Sequence, residues 1–216
     1  PGLEAEDIPP PYLCLLVSGG HTQIIDCQSY GNYTIIGETI DDACGEAFDK
    51  VGKLLNLEYP GGPKVSKLAE NGDPHRFKFP RALTKDRNYN FSFSGLKTAV
   101  LYLMDEVTTS DHADVAASFQ EAIIDVLVKK VTWALEDTNH KSLICSGGVA
   151  ANKQLRERLQ LLSSEIGTKV LYPSLEFCTD NAAMIAYAGY IRKKFNLQEH
   201  KTNFARPRWP LGELYA

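Results

Sequence analysis

The chain has 216 residues, 44% hydrophobic and 23% charged, which is the composition of a folded globular protein and excludes a disordered one. A formal net charge of −4 excludes nucleic-acid binding driven by overall positive charge. The longest apolar run, Tyr12–Val17, is too short to span a bilayer, and the acidic, proline-rich opening does not read as a signal peptide.

From the amino end, residues 1–11 read as an irregular entry ending in Pro9-Pro10-Pro11. Tyr12–Val17 is a continuous apolar run of the kind buried on both faces of a sheet. Gly19-Gly20 interrupts it, and residues 21–26 resume it as the second arm of a hairpin. After the Gly31-Asn32 turn, residues 33–39 make a third strand. Asp41 or Asp42 is placed to cap a helix over 43–55, where Ala43, Ala47 and Val51 recur at helical spacing beside Phe48 and Leu55. Pro60-Gly61-Gly62-Pro63 should stop that helix in a rigid loop.

Over 71–93 the alternation of Phe77 with Phe79 and of Phe91 with Phe93 predicts a hairpin. The same stretch carries Arg76, Lys78, Arg81, Lys85 and Arg87, either a local basic patch or a solvated loop. Ser94 is placed to cap a short helix ending near Met104. The strongest helical pattern covers 114–137, with Val115, Phe119, Ile123, Val126 and Val131 on one face. A strand over 142–145, the Gly147-Gly148 turn, a helix over 151–162 and a strand over 169–172 follow. Thr179 is placed to cap a last helix reaching about Phe195, and residues 201–216 read as irregular. Strands in a meander followed by strands alternating with helices predict an α/β layout with a mixed sheet.

Four segments could carry chemistry. The hairpin Ser18-Gly19-Gly20-His21-Thr22 lets backbone N–H groups approach an anion, although a tight turn alone also asks for glycine. In Ser146-Gly147-Gly148-Val149-Ala150-Ala151-Asn152 a strand runs through two glycines into a helix start, with Asn152 placed either to cap the helix or to meet a ribose or base. Two such elements in one chain favour a nucleotide gripped from two sides. Asp41, Asp42, Glu46 and Asp49 crowd one helix start, which suits either the helix dipole or hydroxyl and metal binding. Asp180 opens the last helix, as a dipole partner or a single metal ligand needing others elsewhere. The five histidines show no H-x-x-x-H or H-E-x-x-H spacing, and no peptidase motif is visible. The five cysteines form no C-x-x-C pair, which fits a reducing compartment, the cytoplasm or, in a eukaryote, the mitochondrion.

In register, LLVSGGHTQ, GETIDDACGEAFDKVGKLL, YPGGP, FSFSGLKTAV, CSGGVAANKQLR, YPSLEFCTDNAAMIA and RPRWPL resemble the universal tRNA threonylcarbamoyladenosine transferase family, long mislabelled O-sialoglycoprotein endopeptidases, in its bacterial or organellar branch. The resemblance implies an α/β fold of the actin/Hsp70/hexokinase type, a ribonuclease H-like mixed sheet with flanking helices. The chain would be its C-terminal two-thirds, with the first lobe incomplete, the second lobe over roughly 12–172, and 173–216 returning toward the first. The implied reaction transfers threonylcarbamoyl from threonylcarbamoyl-AMP to N6 of the adenosine following the tRNA anticodon.

Carried over by matching residues, the substrate contacts fall on Leu16, Val17, Ser18, Gly19, Gly20, Asp49, Gly62 and Asn152, and the metal ligand on Asp180. The resemblance further implies one divalent ion, iron or zinc, per full-length subunit, ATP or threonylcarbamoyl-AMP as the nucleotide, a paralogous partner subunit and an ATPase subunit. Members carry an H-x-x-x-H pair just before the LLVSGG strand that completes the metal site, and this sequence lacks it. The chain alone is therefore expected to be inactive and to self-associate through surface left exposed. The alternative is a nucleotide-binding or scaffolding protein of the same fold without transferase activity.

Overall fold

The computed structural model describes residues 8–178, 181–197 and 211. Its centre is one five-stranded sheet made of β1 (Tyr12–Val17), β2 (Thr22–Ser29), β3 (Asn32–Glu38), β4 (Ser142–Ser146) and β5 (Lys169–Leu171). Their order across the sheet is β3-β2-β1-β4-β5. The first three form an antiparallel meander, while β4 joins β1 and β5 joins β4 in parallel. Around it lie α1 (Cys44–Leu54), α2 (Gly61–Ala69), α3 (Ser94–Leu103), α4 (His112–Thr138), α5 (Lys153–Ile166) and α6 (Ala182–Lys194). This is the mixed α/β sheet with flanking helices that the element order predicts, in the ribonuclease H-like arrangement of actin-like proteins.

One face of the sheet is the core. Leu13, Leu15 and Val17 of β1, Ile24 of β2, and Leu143 and Cys145 of β4 are fully buried there. They belong to one apolar cluster with Phe48 and Val51 of α1 and Phe119, Ile123 and Leu127 of α4, and Phe48 meets Phe119 edge to face at 5.2 Å. The opposite face departs from expectation. Tyr12, Cys14 and Leu16 are only half-buried, and a hollow of about 290 Å³ on that side is lined by Tyr12, Cys14, Cys27, Tyr33 and Ile144 of the sheet and by Tyr187 of α6.

Pro60-Gly61-Gly62-Pro63 does not make a loop. Pro60 takes the position before the first turn of α2, which starts at Gly61, and the cap comes from another element: Asp49 Oδ1 on α1 accepts from Gly61 N at 2.8 Å and Gly62 N at 3.1 Å. The glycines also let the helices touch, since a Cβ on Gly52 would lie 2.8 Å from the Cα of Gly61. Neither Asp41 nor Asp42 caps α1, whose cap position is Ala43. Asp41 instead caps α3 across space, accepting from Phe93 N at 2.8 Å and from the hydroxyls of Ser92 and Ser94 at 2.5 and 2.7 Å. The helix expected from 151 begins at Lys153, after a 3₁₀ turn over Gly148–Ala151. Asn181 caps α6, and Thr179 lies outside the described residues.

No hairpin forms over 71–93. Phe79, Phe91 and Phe93 are buried anchors of an irregular segment, joined to the end of β3 by a bridge between Thr39 and Phe91 and by Glu38 N donating to Asn90 Oδ1 at 3.2 Å. Its arginines are spent on α4 and the turn before it. Arg76 pairs with Asp111 and Asp114, Arg81 with Asp125, and Arg87 with Glu136 and Asp137. The sharpest tie is Lys130 of α4, fully buried, whose Nζ donates to Leu83 O at 2.5 Å, Asn88 O at 2.8 Å and Asn88 Oδ1 at 3.0 Å. Burial pushes this ammonium's pKa down to about 8. It still carries its charge at neutral pH, where three oxygens surround it.

Lys130→Met keeps the aliphatic stem and leaves those oxygens without a donor. It should cost about 2–4 kcal/mol in urea unfolding and expose residues 81–90 to limited proteolysis. Unchanged stability would show that the clasp contributes nothing.

Candidate functional site

β1 and β4 run side by side in parallel, Leu16 opposite Ser146, and both end in glycine pairs at the same edge of the sheet. After β1, Ser18 N donates to His21 O at 2.8 Å, and Ser18 Oγ accepts from Gly20 N at 3.3 Å and His21 N at 3.0 Å. After β4, Gly147 takes φ +98°, and a Cβ there would lie 2.3 Å from the Val17 carbonyl oxygen. Glycine is therefore required at 147 by backbone angle and by the neighbouring strand alike.

Gly19, Gly20 and Gly148 differ. None has a left-handed φ, and a Cβ on any of them would meet nothing within 4 Å. The fold does not need glycine at these three positions, yet together they keep the mouth of both turns free of side chains. The N–H groups of Gly19, Gly148 and Val149 donate to no acceptor among the described residues. Oriented, unspent N–H groups beside bare α-carbons form a cradle suited to an anionic or carbonyl oxygen.

Other elements close on the same edge. α1 starts against the first turn, with Gly45 N donating to Ser18 O at 3.2 Å and Cys44 N to Thr22 Oγ1 at 2.8 Å. Asn152, the cap of α5, accepts from Leu155 N at 3.0 Å through Oδ1. Its Nδ2 donates to Ser66 Oγ of α2 at 2.8 Å and to Gln120 Oε1 of α4 at 2.7 Å. The structure thus groups Leu16–Gly20 with Gly147, Gly148 and Asn152, and links Asp49 and Gly62 to them through α2. Val17 is buried, so only its backbone can meet a ligand. Asp180 lies outside the described residues.

Sequence reasoning missed Ser66 and Gln120. The available signal was the polar pair Gln120-Glu121 inside the apolar run of α4, which calls for a buried polar partner.

The four crowded carboxylates are spent on partners within the protein. Asp41 caps α3, Asp42 pairs with Lys50 and Lys97, Glu46 pairs with Lys50, and Asp49 caps α2. Among the described residues no group of three His, Cys, Asp or Glu side chains is placed to hold a metal ion. Burial pushes the Cys14 and Cys44 thiols up to about 12, so both are protonated and inert at neutral pH. No described helix is long and apolar enough to cross a membrane.

The sheet order and the paired glycine turns define an α/β protein of the actin-like fold class. The same fold occurs in full-length HypF in its phosphate- and nucleotide-bound form, with a TM-score of 0.69 at 12% identity over 89% of this chain and 34% of that one. It occurs again in T. kodakarensis HypF, with a TM-score of 0.54 at 19% identity over 76% of this chain and 21% of that one. At these identities the likeness is one of fold. The model of TsaD, tRNA N6-adenosine threonylcarbamoyltransferase, matches residues 1–187. The chain is 51% identical over 211 residues to the tRNA N6-adenosine threonylcarbamoyltransferase of Herminiimonas arsenicoxydans, covering 94% of this chain and 62% of that relative. It belongs to the tRNA N6-adenosine threonylcarbamoyltransferase family and spans a little under two-thirds of that relative's length.

Two glycines in one turn should respond oppositely to alanine. Gly147→Ala meets a carbonyl and a forbidden φ and should cost roughly 2–4 kcal/mol, whereas Gly148→Ala should stay within about 0.5 kcal/mol in denaturant unfolding. Asp41 tests the capping claim by pH. Burial alone would raise its pKa, but the hydroxyls of Ser92 and Ser94 and the N–H groups of Phe93 and Ser94 outweigh that and hold it below the usual carboxylate range. The stability it contributes is complete above the ordinary carboxylate pKa and is lost as pH falls through the lower folded value. Asp41→Asn should therefore lower stability at neutral pH and flatten the acid limb of the stability profile.

Proposed function

We propose that the chain holds the adenylate part of threonylcarbamoyl-AMP at the two glycine turns. In the whole protein this serves transfer of the threonylcarbamoyl group to N6 of the tRNA adenosine following the anticodon. Family membership supplies the chemistry. The observation that carries the location is the set of unspent N–H groups on Gly19, Gly148 and Val149 beside open glycine α-carbons.

The reaction forms a bond from N6 to the carbamoyl carbon and breaks that carbon's bond to a phosphate oxygen. AMP leaves with the electron pair, and N6 gives up a proton. N–H groups aimed at the acyl-phosphate oxygens favour the charge that builds there as AMP departs, without reorganising. Asp49 takes no ligand bond in this scheme through Oδ1, which is occupied by α2; its Oδ2 and the Ser18 hydroxyl hydrogen are the groups left to face substrate. A divalent ion, iron or zinc, at Asp180 belongs to the same proposal and would supply polarisation of the carbonyl. So do tRNA, a paralogous partner, an ATPase subunit, the division into lobes near residue 172 and a cytoplasmic setting, which the free cysteines support.

Calorimetric titration of threonylcarbamoyl-AMP, AMP and ATP into the chain tests the reading. Threonylcarbamoyl-AMP should bind most tightly, and Gly148→Val should weaken it about a hundredfold or more by filling the cradle, with the melting temperature unchanged. A folded Gly148→Val variant that binds as the unsubstituted chain does would remove the site from these turns. Binding of ATP without preference for the threonylcarbamoyl ligand would instead favour a nucleotide-binding protein without transfer.

A further inference from the structure

A polar chain crosses the packing between α2, α4 and α5. It starts at Asp125 of α4, which accepts from Arg81 Nη2 and Arg158 Nη2, both at 2.9 Å. Arg158 Nη1 donates to Glu121 Oε1 at 2.6 Å, and the other Glu121 oxygen accepts from Gln154 Nε2. Gln154 Oε1 then accepts from Gln120 Nε2 at 2.7 Å, and Gln120 Oε1 accepts from Asn152 Nδ2 at 2.7 Å. Gln120 and Glu121 are 6% and 9% exposed, so these bonds have little competition from water.

Three consecutive carboxamides raise a question of direction, because each has nearly the same shape when flipped. The two ends settle it. A carboxylate held by Arg158 can only accept, so Gln154 must turn its amide hydrogens toward Glu121, and Gln120 must in turn offer its own to Gln154. At the far end Leu155 N can only donate, so Asn152 must offer it Oδ1. Both ends impose the same orientation.

We propose that Glu121, Gln154 and Gln120 are positioning residues that lock the Asn152 carboxamide. Both of its amide hydrogens are engaged inside the protein, on Ser66 and Gln120, leaving one lone pair of Oδ1 as its only capacity toward the cleft. The ligand group facing Asn152 is therefore a hydrogen-bond donor, a sugar hydroxyl or an amine, and not a phosphate or carbonyl oxygen. The lock stands on the hydrogen bonds alone; the donor rule rests on the nucleotide reading above.

The test has two arms on the isotopically labelled chain. The first follows hydrogen exchange of the Asn152 side-chain amide by NMR in the unsubstituted chain, in Glu121→Gln, which keeps shape but removes one of the two fixed ends and its charge, and in Gln120→Leu, which removes the neighbour. Exchange should be slow in the unsubstituted chain, several-fold faster in Glu121→Gln and about tenfold faster in Gln120→Leu, while backbone amides of α4 and α5 keep their rates. Solvent-like exchange in the unsubstituted chain, or no response to Glu121→Gln, overturns the lock. The second arm compares AMP with 2′,3′-dideoxy-AMP. AMP should bind about tenfold more tightly, and Gln120→Leu should narrow that ratio. Equal affinity overturns the donor rule, binding of neither overturns the nucleotide reading and the rule with it, and the lock is judged by exchange in either case.

Discussion

The contact on which the site depends is the bare α-carbon of Gly147 against the carbonyl of Val17, with no room for a methyl group between them. Parallel pairing of β1 with β4 brings two strand ends level, but side chains at the exits would keep the turns apart. Glycine at 147 removes that obstacle and supplies the φ that turns the chain toward α5. Gly45 allows a close approach from the other side, since a Cβ there would lie 2.5 Å from the Ser18 carbonyl oxygen. Two strand exits and one helix start are thereby pressed into a small volume, and the glycines the fold does not need face outward from it.

Carboxylates tie the surrounding parts to this centre. Asp49 reaches from α1 to the start of α2, Asp41 from the loop after β3 to the start of α3, and the acids along α4 hold the arginines of residues 71–93. Each replaces a local helix or turn signal with one from elsewhere in the chain. Exposed pairs of this kind contribute little individually, so their effect lies more in fixing where an irregular segment rests than in overall stability. The basic cluster is consequently not a free patch at Arg76, Arg81 or Arg87.

Periodic features were legible in the amino-acid sequence. The β1–β2 hairpin, the long α4 pattern and the strand–glycine–helix passage from β4 to α5 follow from residue spacing, because their determinants are local. The helix at Gly61–Ala69 was not legible, since two prolines and two glycines suppress it locally and its cap comes from Asp49, twelve residues earlier. Alternating phenylalanines near 77 and 91 imitate strands, yet they serve as anchors dropped into the core from a loop held by salt bridges. In the site, the glycine turns and Asn152 stood out as motifs. Ser66 and Gln120, which accept the two amide hydrogens of Asn152, stand 86 and 32 residues away from it and leave only the oddity of buried polar residues in an apolar helix.

The most direct measurement is a map of backbone amide chemical shifts as AMP is added to the labelled chain. Ligand in the glycine cradle predicts that Gly19, Gly20, Gly148 and Val149 move first and furthest, with Asn152 following and the Tyr12–Cys14–Tyr33 face of the sheet unmoved. Saturable shifts centred on that opposite face, with the four turn amides unchanged, would contradict the location of the site and the role assigned to its unspent N–H groups.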